Sequence, residues 1–165
     1  MQLKRLVLHL TWTHWAARRR FGPPVLTCIE QEIRAAESRH AGQIRFAIES
    51  ALDLQHLWAN LSPRQRALQV FAQLGIWDTA ANNGVLIYVL LADHDVEIVA
   101  DRGISARVEQ AEWDEICHLM EQHFRAGRFL EGSRAGVHAV GELLARHFPG
   151  EGAAVDELPD RPVLL

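Results

Sequence analysis

The chain has 165 residues, 48% of them hydrophobic and 23% charged, which is the balance of one ordinary globular domain. A net charge of −4 argues against a general nucleic-acid binder. Two cysteines, Cys28 and Cys117, lack CxxC spacing and read as reduced, buried thiols on apolar helix faces, in keeping with a cytoplasmic setting.

The charge is unevenly spread: residues 1–20 carry five basic groups and no acid, and residues 149–165 carry a net −3. Residues 1–21 predict one basic amphipathic helix, with Leu3, Leu6, Leu10 and Trp12/Trp15 near one side. Its apolar run is shorter than the roughly 20 residues a membrane span needs. Arg18-Arg19-Arg20 follow that run, whereas a signal peptide places its charges first. The arm therefore suits docking on the domain or on a second protomer, or contact with an anionic membrane surface.

Gly22-Pro23-Pro24 opens a new element, the start of a domain over 22–148. Val25, Ile29, Ile33 and Ala36 recur at helical spacing, and Gly42 provides a stop. Gln43 to Glu49 alternates, with Ile44, Phe46 and Ile48 on one face, and predicts a strand. A short helical piece within 51–60 precedes Ser62-Pro63-Arg64-Gln65, a capping box with proline at the first helical position. Ala67, Val70, Phe71 and Leu74 continue that helix to Gly75. After a loop rich in turn residues, Val85 to Leu91 is an unbroken apolar run, the mark of a strand covered on both faces. A two-residue turn at Asp93-His94 leads to a returning strand with Val96, Ile98 and Ala100. Two further helices carry Trp113, Ile116, Cys117, Met120 and Phe124, then Phe129, Val137, Val140, Leu144 and Phe148. Gly127 separates them, and Gly136 and Gly141 permit close packing. Residues 149–165 form an acidic Pro/Gly-rich tail, disordered or docked in extended form.

Helices alternating with strands predict an α/β fold with one parallel crossover and one hairpin. The expected architecture is a small three- to four-stranded mixed sheet covered by helices on both faces.

Polar groups converge at one place. A two-residue turn pairs Ile98 with Val89 and sets Asp101 opposite Leu86, about 7 Å of strand rise from Asn82-Asn83-Gly84. Asp78, Asn82, Asn83 and Asp101 should then share one end of the central strand. Oxygen ligands without His or Cys suit a hard cation such as calcium or magnesium, and disfavour zinc, copper or iron. Arg102 stands beside them. The same residue types also serve ordinary turns, and spacing leaves both readings open. The nine histidines read mostly as surface or half-buried, with no HExxH among them. GxGxxG, GxxxxGK[ST] and GxSxG are absent. Trp77 stands at the mouth of the loop, and the other tryptophans read as packing anchors.

Trp77-Asp78-Thr79-Ala80-Ala81-Asn82-Asn83-Gly84-Val85-Leu86-Ile87, followed by Val96 to Ile104, resembles the TPM domain family. Phe124-Arg125-Ala126-Gly127-Arg128-Phe129-Leu130-Glu131-Gly132 resembles the family's second signature, a junction between two helices. The resemblance covers residues 23–148. It implies an α/β/α sandwich in which some members bind calcium in a shallow cleft at the loop end of the sheet. A plant thylakoid relative has been assigned acid phosphatase activity and a part in photosystem repair. Many bacterial members carry a signal peptide and a C-terminal membrane span. This sequence displays neither, so a cytoplasmic protein, peripheral at most to the inner membrane, is expected. The leading expectation is a binding or adaptor domain with protein partners, no nucleic acid, and a calcium cleft. The rivals are a metal-assisted phosphomonoester hydrolase and a membrane-peripheral scaffold contacting lipid through residues 1–20. The hydrolase lacks an evident general base or nucleophile.

Overall fold

The computed structural model describes residues 3–12, 14–150 and 156–165. Within them the sheet has four strands in the order β3-β2-β1-β4. Strand β1 (Gln43–Glu49) pairs in parallel with β2 (Gly84–Leu90), which pairs antiparallel with β3 (Asp95–Ala100). The parallel pair is the expected crossover and the antiparallel pair the expected hairpin. The fourth strand, β4 (Val163–Leu164), comes from the tail and runs parallel to β1. The docked alternative for the tail is thus realised over 156–165.

Period-two alternation divides the core. Ile44, Phe46 and Ile48 of β1, Val85, Ile87 and Val89 of β2, and Val96 and Ile98 of β3 face one side. There they meet α3 (Pro23–Glu37), α7 (Gln110–Arg125) and α8 (Phe129–His147). Ala47, Leu86, Tyr88, Leu90 and Val99 face the other side, under α4 (Leu54–Trp58) and α5 (Pro63–Gln73). Every residue of β2 is buried, as its unbroken apolar run requires. The fold is the expected α/β/α sandwich. Ser62 and Gln65 form the reciprocal capping box that starts α5, with Ser62 Oγ accepting from the Gln65 amide and Gln65 Oε1 from the Ser62 amide. Gly136 is obligatory for the α7–α8 contact, because a Cβ there would sit 2.2 Å from Met120 Sδ.

Two expectations need correction. The hairpin register differs by two: Val89 faces Val96 and Ile87 faces Ile98. Leu91 and Ala92 extend the pairing toward the β1 end, donating to Glu49 O and Ser50 O, so the reversal spans Leu91–His94 rather than two residues. His94 closes it at φ 53°. A slip of two keeps each side chain on its own face, which is why the core assignment survives. The N-terminal arm is two helices, α1 (Leu3–Thr11) and α2 (His14–Arg20), not one. Leu6 packs on the second core and Trp12 on the first, while Leu10 and Trp15 point outward. Most described histidines are exposed or half-buried as expected, and His9 and His40 are the buried ones.

His9 explains how the arm docks. Its Nδ1 accepts from the Leu52 amide at 2.9 Å, which places the proton on Nε2, 2.9 Å from Asp93 Oδ1. Arg5 adds a two-toothed contact to the same carboxylate, at 2.7 Å and 3.1 Å. The arm therefore clasps the hairpin end of the sheet.

Candidate functional site

The loop between α5 and β2 lies at the opposite end. Gly75, at φ 65°, ends α5, and the Asp78 amide bonds back to Gly75 O. Thr79 then organises the turn: its carbonyl accepts from the Asn82 amide and its hydroxyl from the Asn83 amide, both at 3.1 Å. Asn82 is the residue that adopts positive φ, at 51°. Gly84 serves close approach instead, since a Cβ there would lie 2.3 Å from Ile76 O.

Across the hairpin, the Asp101 amide donates to Gly84 O at 2.9 Å. Asp101 thus stands one register step past the Val85–Ala100 pair, closer to the Asn-Gly turn than the two-residue reversal implies. It also caps α6 (Arg102–Ser105), a single turn that hydropathy alone did not reveal. Gly103 then packs on the loop, donating from its amide to Asn82 O at 3.0 Å.

These contacts set Asp101 beside the turn that carries Asn82 and Asn83. Asp78 is on the same loop and exposed, with Trp77 exposed beside it. The oxygens are unequally engaged. Asn82 Oδ1 accepts from Arg102 Nε at 2.9 Å, and Asp101 Oδ1 from the Arg102 amide at 2.7 Å. Asn83 is buried and donates through Nδ2 to Ala41 O. Asn83 Oδ1 and Asp101 Oδ2 are buried without a hydrogen-bond partner. Unpaired buried acceptors are uncommon in folded proteins and call for a donor or a cation. The donor set, all carboxylate and amide oxygen, fits a hard cation.

Two further clusters escaped the sequence reading. Arg66 grips Glu49 through Nε at 2.8 Å and through its second nitrogen at 3.0 Å, and Tyr88 Oη donates to Glu49 Oε2 at 2.5 Å. Burial, then the neighbouring Glu49 charge, pushes the Tyr88 hydroxyl well above its ordinary range. All three are buried, and the group closes its own hydrogen bonds, so it holds the sheet to α5. The other is acidic. Glu37, Asp156 and Asp160 each present a carboxylate oxygen within 4.8 Å of the others. Glu37 ends α3 and the two aspartates belong to the tail, so no local spacing links them. The tail's acidity was visible in the sequence, but its partner was not.

The tail borders the loop as well. Gln43 Oε1 accepts from the amides of Glu157 and Leu158, at 2.9 Å and 2.8 Å. The Glu157 carboxylate accepts from the Ala80 amide at 3.0 Å.

Among the described residues, no helix is long and apolar enough to cross a membrane. No functionally curated protein matches the chain. The chain is similar to BA42 protein from the psychrophilic bacterium Bizionia argentinensis, at 31% identity and a TM-score of 0.75, over 86% of this chain and 93% of that one. It is also similar to the N-terminal domain of a protein from P. gingivalis, at 25% identity and a TM-score of 0.56, over 73% and 75% of the two chains. The family model for the TPM domain matches residues 24–143, so this chain, with both signatures and the sandwich in place, belongs to the TPM domain family.

Proposed function

We propose that the chain is a binding or adaptor domain whose loop-end cleft takes a divalent cation, calcium in preference to magnesium, through Asp78, Asn82, Asn83 and Asp101. The supporting observation is that Asn83 Oδ1, in the loop before β2, and Asp101 Oδ2, at the end of β3, are each buried without a hydrogen-bond partner. Arg102 is the built-in competitor: its guanidinium holds Asn82 Oδ1, and a bound cation would displace it. Calcium titration followed by tryptophan fluorescence tests this reading through Trp77. A saturable change, lost in Asp78→Ala and in Asp101→Ser, is expected; a flat titration, or one unaffected by both variants, rejects it. Serine keeps a capping oxygen for α6 and removes the carboxylate.

One observation favours membrane contact as a second property. Val7, Leu8, Leu10 and Trp15 are exposed, with Arg18 and Arg19 exposed nearby, at the end of the sheet away from the cleft. Apolar side chains rimmed by arginine suit an anionic lipid surface. Salt-sensitive binding to anionic vesicles, lost on deleting residues 1–20, is expected. For the hydrolase alternative, the cleft residues include no His or Cys, and only Asp78 or Asp101 would serve as base. Hydrolysis of a generic phosphoester that vanishes in Asp101→Asn would favour it.

A further inference from the structure

The arm and the α7–α8 junction line a pocket of about 650 Å³, the size of a small-ligand site. Trp15, Arg19 and Arg20 of α2 form one wall, and Phe129, Leu130 and Glu131 of α8 the other. Arg20 lies over Trp12, and Trp12 meets His94 edge-on with ring centroids 5.7 Å apart. The pocket therefore stands at the hairpin end of the sheet, away from the loop cleft. Phe129 is fixed there by stacking on Phe124 at 5.4 Å.

Arg20 is half-buried, with its guanidinium 4.5 Å from the Trp12 ring centre and 5.6 Å from that of Phe129. One of its nitrogens donates to Ala16 O at 3.2 Å, which leaves most of its five-donor fork unspent. Among the described residues no carboxylate pairs with it, nor with Arg18 and Arg19, which are exposed beside it. A cation drawn out of water ordinarily finds an anionic partner, and the ring faces offset only part of that cost. Glu131 is the acid of the lining; it is exposed and forms no ion pair among the described residues. Three arginines against one glutamate make this a positive pocket on a chain of net charge −4.

We propose that this pocket seats the phosphate of an anionic phospholipid, with Arg19 and Arg20 as donors and Trp15 and Leu130 against the glycerol and first acyl carbons. The assignment rests on the membrane-contact reading and deepens it, because Phe129 and Leu130 make the seat a property of the folded domain and not of the arm alone. A guanidinium fork matches paired phosphate oxygens. Tryptophan favours the headgroup level of a bilayer. A free phosphate compound offers the same anion, but it would leave Val7, Leu8 and Leu10, exposed on the preceding helix, in water.

The test is co-sedimentation of the full chain with vesicles of equal parts phosphatidylcholine and phosphatidylglycerol, with calcium chelated so that the loop cleft is silent. Arg18→Gln, outside the lining, should weaken binding about fivefold, the share of one surface charge. Arg19→Gln and Arg20→Gln should each weaken it roughly tenfold or more, the loss of a charge-assisted hydrogen bond. Arg20→Lys, which keeps the charge and loses the fork, should fall nearly as far. Glu131→Gln should tighten binding about fivefold by the same surface-charge share. Arg19 and Glu131 are exposed, so their variants keep the test sound even where Arg20→Gln loosens the arm. Equal losses for the three arginines, with Glu131→Gln neutral, overturn the seat and leave a diffuse attraction between arm and lipid. No sedimentation with any vesicle removes the membrane reading itself. Short-chain phosphatidylglycerol below its micelle point should shift the amides of Gly127, Leu130 and Glu131, and inorganic phosphate at the same concentration should leave them still. If inorganic phosphate shifts them as strongly, the ligand is a free phosphate compound and the lipid assignment falls.

Discussion

Replacing Asp93 by asparagine should release the N-terminal arm. Burial alone would raise this carboxyl, yet its hydrogen bonds to His9 and Arg5, and the Arg5 charge, take it from 3.8 down to about 2. The side chain is 13% exposed, so solvent screens these interactions little. A depression of that size corresponds to about 2 kcal/mol favouring the docked state. The sign follows from the direction. A carboxyl depressed by folding contributes above its ordinary range and loses that contribution as pH falls from about 4 toward 2. Asparagine preserves the shape, removes the charge and leaves Arg5 and buried His9 facing a neutral amide. Amide hydrogen exchange in α1 should therefore speed up about 30-fold at neutral pH, the equivalent of 2 kcal/mol. Amides of β2 should keep their protection. At pH 2 the two proteins should exchange alike. Unchanged exchange in α1 at neutral pH, or a difference that persists at pH 2, would refute the idea that this carboxylate anchors the arm.

Gly103→Ala should disturb the loop without unfolding the domain, because the new Cβ would meet Asn82 O at 2.5 Å, a backbone atom that cannot rotate away; shifted resonances at 79–84 and a weaker calcium response are the readouts. Arg66→Ala should destabilise the fold by about 3–5 kcal/mol in chemical denaturation, since it strands the buried Glu49 carboxylate, and Tyr88→Phe should have a smaller effect of about 1–2 kcal/mol. Thermal stability should fall as pH rises through the range about 4 to 7. Burial, with Glu97, Glu121 and Asp93 nearby and Arg5 opposing them, raises Asp95 to about 7, so the folded chain binds a proton there that the unfolded chain has released. Asp95→Asn should flatten that slope, and an unaltered profile would count against it.

How much of this was legible in the sequence depended on locality. Strand β1 was readable because Ile44, Phe46 and Ile48 alternate, and β2 because nothing polar interrupts Val85 to Leu91. The capping box at Ser62 and the break at Gly127 are local chemistry. The loop and Asp101 were placed at one end of the sheet despite a wrong turn length, since a register slip of two moves a residue along its strand without turning it over. Contacts made across long stretches of chain were not legible. His9 has no local signal, because Asp93 and the Leu52 amide that fold around it are each more than forty residues away. Glu37 and Asp160 likewise meet only because the tail returns along β1. Gly84 suggested a positive-φ turn, but the strain fell on Asn82, and the glycine is there because Ile76 comes too close for any side chain.

Deleting residues 156–165 should change both the candidate cleft and the state of association. The deletion leaves all of residues 24–143, the portion matched by the TPM domain, intact. It removes β4 and so exposes the backbone of β1 as a sheet edge, where Ile48 O now accepts from the Leu165 amide at 2.9 Å. An uncovered edge is a template for pairing with a second chain, and with Glu49 held inside by Arg66, Arg45 is the charge left to guard it. It also removes Leu158, buried in the second core, whose apolar surface contributes about 1.5–3 kcal/mol. The Ala80 amide loses the Glu157 carboxylate at the same time, so residues 79–83 should exchange faster. The truncated chain should therefore run larger than a monomer in light scattering at high concentration and bind calcium at the cleft more weakly. If it stays monomeric with the loop unperturbed, the tail neither shields the sheet nor supports the cleft. The contacts at Ala80 and Ile48 would then be incidental.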